Sequence, residues 1–192
     1  MHSEEYILEQ IQWLRANHQI NAVDFADDYL FGRIKPMQRL VEKVGLPWSG
    51  QVRVQLLKPE FVRWMTATGC QWVNIGAESG SQAVLDSMHK DQKAEQIEWG
   101  VSNLAEFAPH IEANLSFIVG LPEESAADRQ ITFDLIDRLV KIDEKARCSV
   151  CVYMPYPGTP LWPDALARGF VPPERQEGWC DMDLNRGNTP WV

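Results

Sequence analysis

Five short stretches place charged, small or hydroxyl-bearing residues directly after apolar runs: Asp27-Asp28, Arg53, Glu78-Ser79, Gly120-Leu121-Pro122-Glu123 and Tyr153-Met154-Pro155. The carboxylates can accept hydrogen bonds from an amine or from sugar hydroxyls, and the guanidinium can pair with a carboxylate. Gly76, Gly80 and Gly120 would let the backbone come close to a ligand. Taken singly, each residue has a plainer reading, as a turn glycine or as an acid offsetting the positive end of a following helix. Their recurrence after strand upon strand favours a binding rim. Asp24, Asp27 and Asp28 raise the alternative of a divalent-metal enzyme. On an extended strand, however, Asp24 and Asp27 face opposite sides unless the chain turns between them.

The four cysteines, Cys70, Cys148, Cys151 and Cys180, are too few and too scattered for a disulfide framework. Cys148 and Cys151 have the spacing of a metal pair but lie in an alternating run that reads as a strand, where residues i and i+3 point to opposite faces. They are expected to be core or pocket-lining thiols rather than zinc ligands. No metal ligand set is assigned.

The elements that must carry these residues alternate between strand and helix patterns, as βα units of a parallel sheet do. Ser3 can cap a first helix, which puts Ile7, Ile11 and Leu14 on one face and ends near Asn17. A strand follows at 22–26, then a helix with Pro36 in its first turn, Met37, Leu40, Val41 and Val44 inward and Gly45 as stop. Alternation over Gln51–Leu56 predicts a half-buried strand, and Pro59 opens a helix bearing Phe61, Trp64 and Met65. A strand at 72–75 leads to two helical stretches, around 84–88 and 97–107, the second interrupted by Gly100 at a cost of about 1 kcal/mol relative to alanine. A strand at 114–119 precedes Ser125 and Asp128, spaced as a capping box, and a helix expected to bury Ile131, Leu135, Ile136 and Leu139. The last strand, Cys148–Tyr153, runs into a proline-rich stretch and a short helix near 161–167. The fold class is therefore α/β, a partial (βα)6-type TIM-like barrel of parallel strands. In such a barrel the C-terminal ends of the strands share one edge, where the chemistry lies.

With 18 Lys+Arg against 27 Asp+Glu the net charge is -9, and no basic patch compensates it, which argues against nucleic acid as a partner. No apolar run approaches the roughly 18 residues of a membrane span, and the N-terminus lacks the pattern of a secretory signal. A soluble, cytoplasmic protein is expected, with a small molecule as its partner.

The stretches "FADDYLF", "RVQLLKPEFVRWM", "GCQWVNIGAESGSQAVLDSMHK", "LSFIVGLPEES" and "VYMPYPGTPL", in this order and spacing, resemble the core domain of the radical S-adenosylmethionine (SAM) superfamily. The resemblance is greatest to the branch whose members often carry a cobalamin-binding domain, the methyltransferase and anaerobic magnesium-protoporphyrin ester cyclase type. It covers residues 1–170, as strands two to six of the barrel with the first strand missing, and leaves 171–192 as an irregular C-terminal segment. It implies that Asp27 and Asp28 contact the SAM amino group, where Gly-Gly-Glu is common. Glu78 and Ser79 would add polar contacts to SAM. Ile118, Gly120 and Glu123 match a GxIxGxxE motif that supports adenine, with Ser116 in place of the first glycine. Tyr153 and Met154 would offer backbone to adenine, and Arg53 would meet a carboxylate or the substrate.

The parent activity implied is reductive cleavage of SAM at a [4Fe-4S] cluster to start radical chemistry, ending in the cobalamin-linked branch in methyl transfer. That cluster is held through CxxxCxxC, because three thiolates must converge on three irons. The spacing is absent: after Cys148 and Cys151 the closest pair is 29 positions apart. The cluster and cobalamin are therefore expected only in a full-length parent, with the missing part supplied by an N-terminal half or a partner chain. The remaining alternative is an inactive or degenerate copy that serves only as a folding or SAM-binding unit.

Overall fold

The computed structural model describes residues 2–182 and 189–192. Positions 183–188 of the C-terminal segment lie outside the described residues. Five strands, β1 (Val23–Phe25), β2 (Trp48–Gln51), β3 (Cys70–Glu78), β4 (Glu112–Val119) and β5 (Arg147–Val152), form one parallel sheet in the order β1-β2-β3-β4-β5. Each strand is added beside its predecessor, the winding of a barrel, and the sheet stays open between β1 and β5. Seven α-helices complete the described chain: α1 (Glu4–His18), α2 (Ile34–Val44), α3 (Pro59–Ala67), α4 (Gln82–Ser87), α5 (Glu95–Phe107), α6 (Ala126–Ile142) and α7 (Trp162–Ala167).

Period-2 alternation explains which face of the sheet is packed. Val73, Ile75 and Ala77 of β3 and Ala113, Leu115 and Phe117 of β4 are buried in one cluster with Val62 and Met65 of α3, Ile97, Val101 and Leu104 of α5, and Leu135 and Leu139 of α6. The opposite, concave face carries small and polar side chains. Gly76, Ser116 and Ser149 stand in register across β3, β4 and β5, and Asn114 donates to Asn74 at 2.8 Å.

Local signals place the helix ends. Ser3 accepts from the Tyr6 N–H, and Ser125 and Asp128 make a reciprocal capping box at the start of α6. Gly45, at φ 59, closes α2.

Two expectations are corrected. The run Gln51–Leu56 is not a strand: β2 lies earlier, at Trp48–Gln51, and Val54–Leu56 form a single 3-10 turn, so Arg53 follows the strand instead of lying on it. Val52 and Val54 are nonetheless buried, because an extended residue followed by a 3-10 turn buries alternate side chains as a strand does. In α6, Ile131 is exposed and Thr132 takes the buried position. The residues 132, 135 and 139 make the inward stripe, since the Thr132 hydroxyl finds partners beneath the β3–α4 loop.

The last part of the described chain, outside the sheet, includes a 3-10 helix at Gln176–Asp181, whose Trp179 packs against Tyr156, Trp162 and Phe170. No helix among the described residues is long and apolar enough to cross a membrane.

Candidate functional site

The ends of β1, β2 and β3 open onto a cleft of about 330 Å³, lined by residues that include Asp28, Tyr29, Arg53, Gln55, Glu78 and Lys90. That volume is within the roughly 300–1,000 Å³ typical of small-molecule sites. Each wall is anchored by packing. Leu30 and Phe31 are buried, and the Phe31 ring meets Phe61 edge-on at 5.1 Å and Trp64 at 5.8 Å, which fixes the turn that presents Asp28 and Tyr29. The Arg53 guanidinium lies 4.2 Å from the centre of the Tyr29 ring, a cation–π contact that holds it at the mouth.

Glu78 ends β3 with φ 64, a left-handed conformation that costs a non-glycine residue roughly 1–2 kcal/mol. It sits where the register slips between Gly76 and Glu78 against β4. The slip turns its carboxylate back over Gly76, so that a Cβ there would lie 2.6 Å from Oε1. Lys90 donates to the same oxygen at 2.7 Å. Gln92 ties the loop after α4 to the sheet by donating to the Ala77 carbonyl at 2.9 Å. Gln55 donates to the Asp91 carbonyl, which leaves its buried Oε1 without a donor among the described residues. The cleft is therefore lined by three carboxylate residues, Asp28, Glu78 and Asp91, together with a guanidinium and an ammonium, a set suited to a zwitterionic ligand with hydroxyls.

Of the residues singled out in the sequence, Asp28, Arg53, Gly76 and Glu78 come together here. The others do not line this cleft. Asp27 accepts from the Tyr29 N–H at 2.9 Å and faces a second, apolar cavity between α1, β1 and α2. Ser79 is fully buried against Thr132. Ile118 is half-buried on the concave face, and Gly120, at φ 79, ends β4. Tyr153 donates its N–H to the Val119 carbonyl at 2.7 Å, and burial raises its phenol pKa. Met154 is buried beside it in sequence.

Glu123 is exposed and pairs with Arg168 at 3.4 Å. Its neighbour Glu124 is the inward carboxylate: Oε2 accepts from the Gly120 N–H at 2.5 Å and from Arg129 at 3.3 Å, while Oε1 is buried without a partner among the described residues. Burial raises its pKa, against the opposing pull of the Gly120 and Arg129 hydrogen bonds. The Gly120 carbonyl in turn accepts from the Trp191 indole at 2.9 Å. Tyr29, Gln55, Lys90 and Glu124 were not assigned roles from the sequence. Lys90 was visible in "SMHK", but its function depends on a loop folding back twelve residues.

The described residues do not fit an iron–sulfur cluster. Cys70 is buried in β3, and burial pushes its thiol up to about 12. Cys148 and Cys151, the second and fifth residues of β5, pair with Leu115 of the core and Ile118 of the concave face, on opposite sides of the sheet. Cys180 is exposed on the 3-10 turn. Among the described residues no three His, Cys, Asp or Glu side chains could hold a metal ion. Asp24, Asp27 and Asp28 do not come together either: Asp24, which accepts from Ser49 at 2.6 Å, and Asp27 line the second cavity, whereas Asp28 lines the cleft.

No protein-family model matches the chain. Among curated proteins it is 27% identical over 175 residues to an uncharacterized methyltransferase of Pyrococcus horikoshii, covering 88% of this chain and 37% of that protein. It is 30% identical over 150 residues to the bacteriochlorophyllide d C-12(1)-methyltransferase of Chlorobaculum tepidum, covering 75% and 31%. The chain thus spans about a third of the length of these relatives. Among solved structures it superposes on the radical SAM methyltransferase TsrM of Kitasatospora setae, which holds cobalamin and a [4Fe-4S] cluster. The TM-score is 0.70 at 16% identity, over 89% of this chain and 35% of that one. The chain therefore has the fold of radical SAM enzymes, and its sequence relatives include methyltransferases.

Proposed function

We propose that this chain holds SAM in the cleft at the ends of β1–β3, as the SAM-binding part of a radical SAM enzyme whose cluster thiolates come from outside these residues. The observation that carries the reading is the convergence of Asp28, Arg53 and Glu78, from three successive strand ends, on one cleft of small-molecule size. Asp28 and Glu78 would accept from the ligand's ammonium and ribose hydroxyls, and Arg53 would meet its carboxylate. Ile118, Gly120, Tyr153 and Met154, along the β4–β5 rim, would border the adenine. Bound SAM supplies a carbon–sulfur bond that one electron can break. The residues of this chain orient the ligand and exclude water. In the parent enzyme we infer methyl transfer with cobalamin, a reading supported by the methyltransferase relatives.

The test is anaerobic calorimetric titration of the chain with S-adenosylhomocysteine (SAH), with Asp28→Ala, Arg53→Met and Glu78→Gln as probes. Binding that each substitution weakens supports the reading. Absence of binding by the folded chain would reduce it to a folding unit. Iron–sulfide reconstitution of the same chain is expected to yield no [4Fe-4S] absorption. Four irons with 5′-deoxyadenosine production would mean that the scattered cysteines assemble a cluster.

A further inference from the structure

Beneath the cleft lies a polar network that the proposed ligand contacts leave unused. It joins the loop after β3 to the middle of α6. The Gly80 N–H donates to Thr132 Oγ1 at 3.0 Å, and Ser79 Oγ lies 3.0 Å from the same atom. Thr132 in turn donates to the Asp128 carbonyl at 3.2 Å, and the Ser81 N–H donates to Ser79 Oγ at 3.1 Å. The Ser81 hydroxyl donates to the Asp128 carboxylate at 2.6 Å, which also accepts from Ser125.

The proton inventory has a single solution. Thr132 has one hydroxyl proton, and the Asp128 carbonyl, which can only accept, takes it. Ser79 must therefore donate to Thr132, so Thr132 Oγ1 accepts twice and donates once. Thr132 and Ser79 are fully buried and Ser81 nearly so, which means that the bonds between Ser79, Thr132 and the Ser81 N–H cannot be replaced by water, whereas those from Ser125 to Asp128 are exposed. The approach is also close: a Cβ on Gly80 would lie 2.9 Å from the Ile131 carbonyl oxygen and from Thr132 Cα.

This network holds the residues that immediately follow Glu78, whose left-handed backbone would relax toward the extended region if the next turn were free. We propose that Thr132 is a positioning residue for the cleft: its hydroxyl clamps the Ser79–Ser81 turn and thereby keeps the Glu78 carboxylate over Gly76 and against Lys90. The role in ligand binding rests on the SAM reading given above.

The experiment compares Thr132→Val, which keeps the shape and removes the hydroxyl, with Thr132→Ser, which keeps the hydroxyl. SAH affinity is expected to fall at least tenfold in the valine variant and to stay within twofold of wild type in the serine variant. Because Thr132 acts through Glu78, Thr132→Val should add less than a twofold loss in a Glu78→Ala background, where an unrelated packing defect would multiply through. A folded Thr132→Val chain that binds SAH like wild type, or losses that multiply, would overturn the proposal.

A second readout needs no ligand. Carbodiimide joins a carboxylate to an amine only in contact, so a Glu78–Lys90 cross-link detected by mass spectrometry should form in wild type and Thr132→Ser and be lost in Thr132→Val. If wild type shows no SAH binding, the SAM reading fails, and the cross-link alone decides the positioning role: an undiminished cross-link in the valine variant rejects it. Should Thr132→Val not fold, Ser79→Ala removes the other half of the same pair and carries the same expectations.

Discussion

Lys90 donates to Glu78 Oε1 at 2.7 Å, and the pair joins the end of β3 to the loop that follows α4. The Lys90 side chain is 42% exposed, so solvent screens the pair and its contribution to stability is about 1 kcal/mol at most. Its larger effect is on orientation, because the carboxylate it holds faces the cleft alongside Arg53. Lys90→Met is therefore expected to keep the wild-type melting temperature within a few degrees. By calorimetry it should lower SAH affinity about fivefold, the equivalent of that 1 kcal/mol. An unchanged affinity would show that Glu78 keeps its place without the lysine.

Gly76 and Gly80 flank Glu78 and should respond to alanine in opposite ways. At Gly76 the new methyl would meet the far end of the Glu78 side chain, which can swing aside. At Gly80 it would meet the backbone of Ile131 and Thr132, which cannot. Gly76→Ala is thus expected to fold normally and to weaken SAH binding. Gly80→Ala should cost about 1–3 kcal/mol of stability, seen as a melting temperature lowered by several degrees. Thermal denaturation with calorimetric titration separates the two, and equal stability of both variants would contradict the close backbone approach at Gly80.

The framework was legible where the physics is local. Alternation marked β3 and β4, and the Ser125–Asp128 spacing marked the start of α6, because strand period and cap geometry depend on residues a few positions apart. The run Gln51–Leu56 misled because burial at alternate positions does not distinguish a strand from an extended step plus a 3-10 turn. Gly100 read only as a cost to α5. In the fold, a Cβ there would press on Val54 at 3.0 Å and Leu57 at 3.1 Å, so the glycine answers to tertiary packing that no local pattern carries. The same limit applies at the site. Strand ends pointed to Asp28, Arg53 and Glu78, whereas Lys90 and Thr132 depend on which loop and helix lie against the β3 end. Glu123 and Glu124 are equivalent in composition, and only the turn after Gly120 determines which of them faces inward.

The cysteines should differ sharply in reactivity. Cys180 is exposed, whereas burial holds the Cys70 thiol at a pKa of about 12, so almost none of it is thiolate at neutral pH. Under native conditions an aromatic disulfide reagent is expected to label Cys180 first and to leave Cys70 unlabelled until denaturant is added. Rapid labelling of Cys70 in the native chain, located by peptide mass spectrometry, would show that the β3 region opens.

Glu124 makes stability depend on pH. Its side chain is fully buried with one oxygen unpaired, and desolvation raises its folded-state pKa above the ordinary 4.5. A carboxyl whose pKa is higher in the folded state binds its proton more tightly there, so folding is favoured at low pH. That advantage is lost as pH rises from 4.5 through the raised value. Other carboxyls work in the opposite sense: the hydrogen bonds from Ser125 and Ser81 hold the Asp128 pKa down, so its stabilisation is lost as pH falls through its folded-state value. Glu124→Gln keeps the shape, removes the titration and can accept from Gly120 through its amide oxygen. Its stability relative to wild type should therefore rise with pH just above 4.5 and then level off, as read from urea midpoints taken in parallel across that range. A constant difference between the two chains would mean that Glu124 is as well solvated when folded as when unfolded, contrary to its burial.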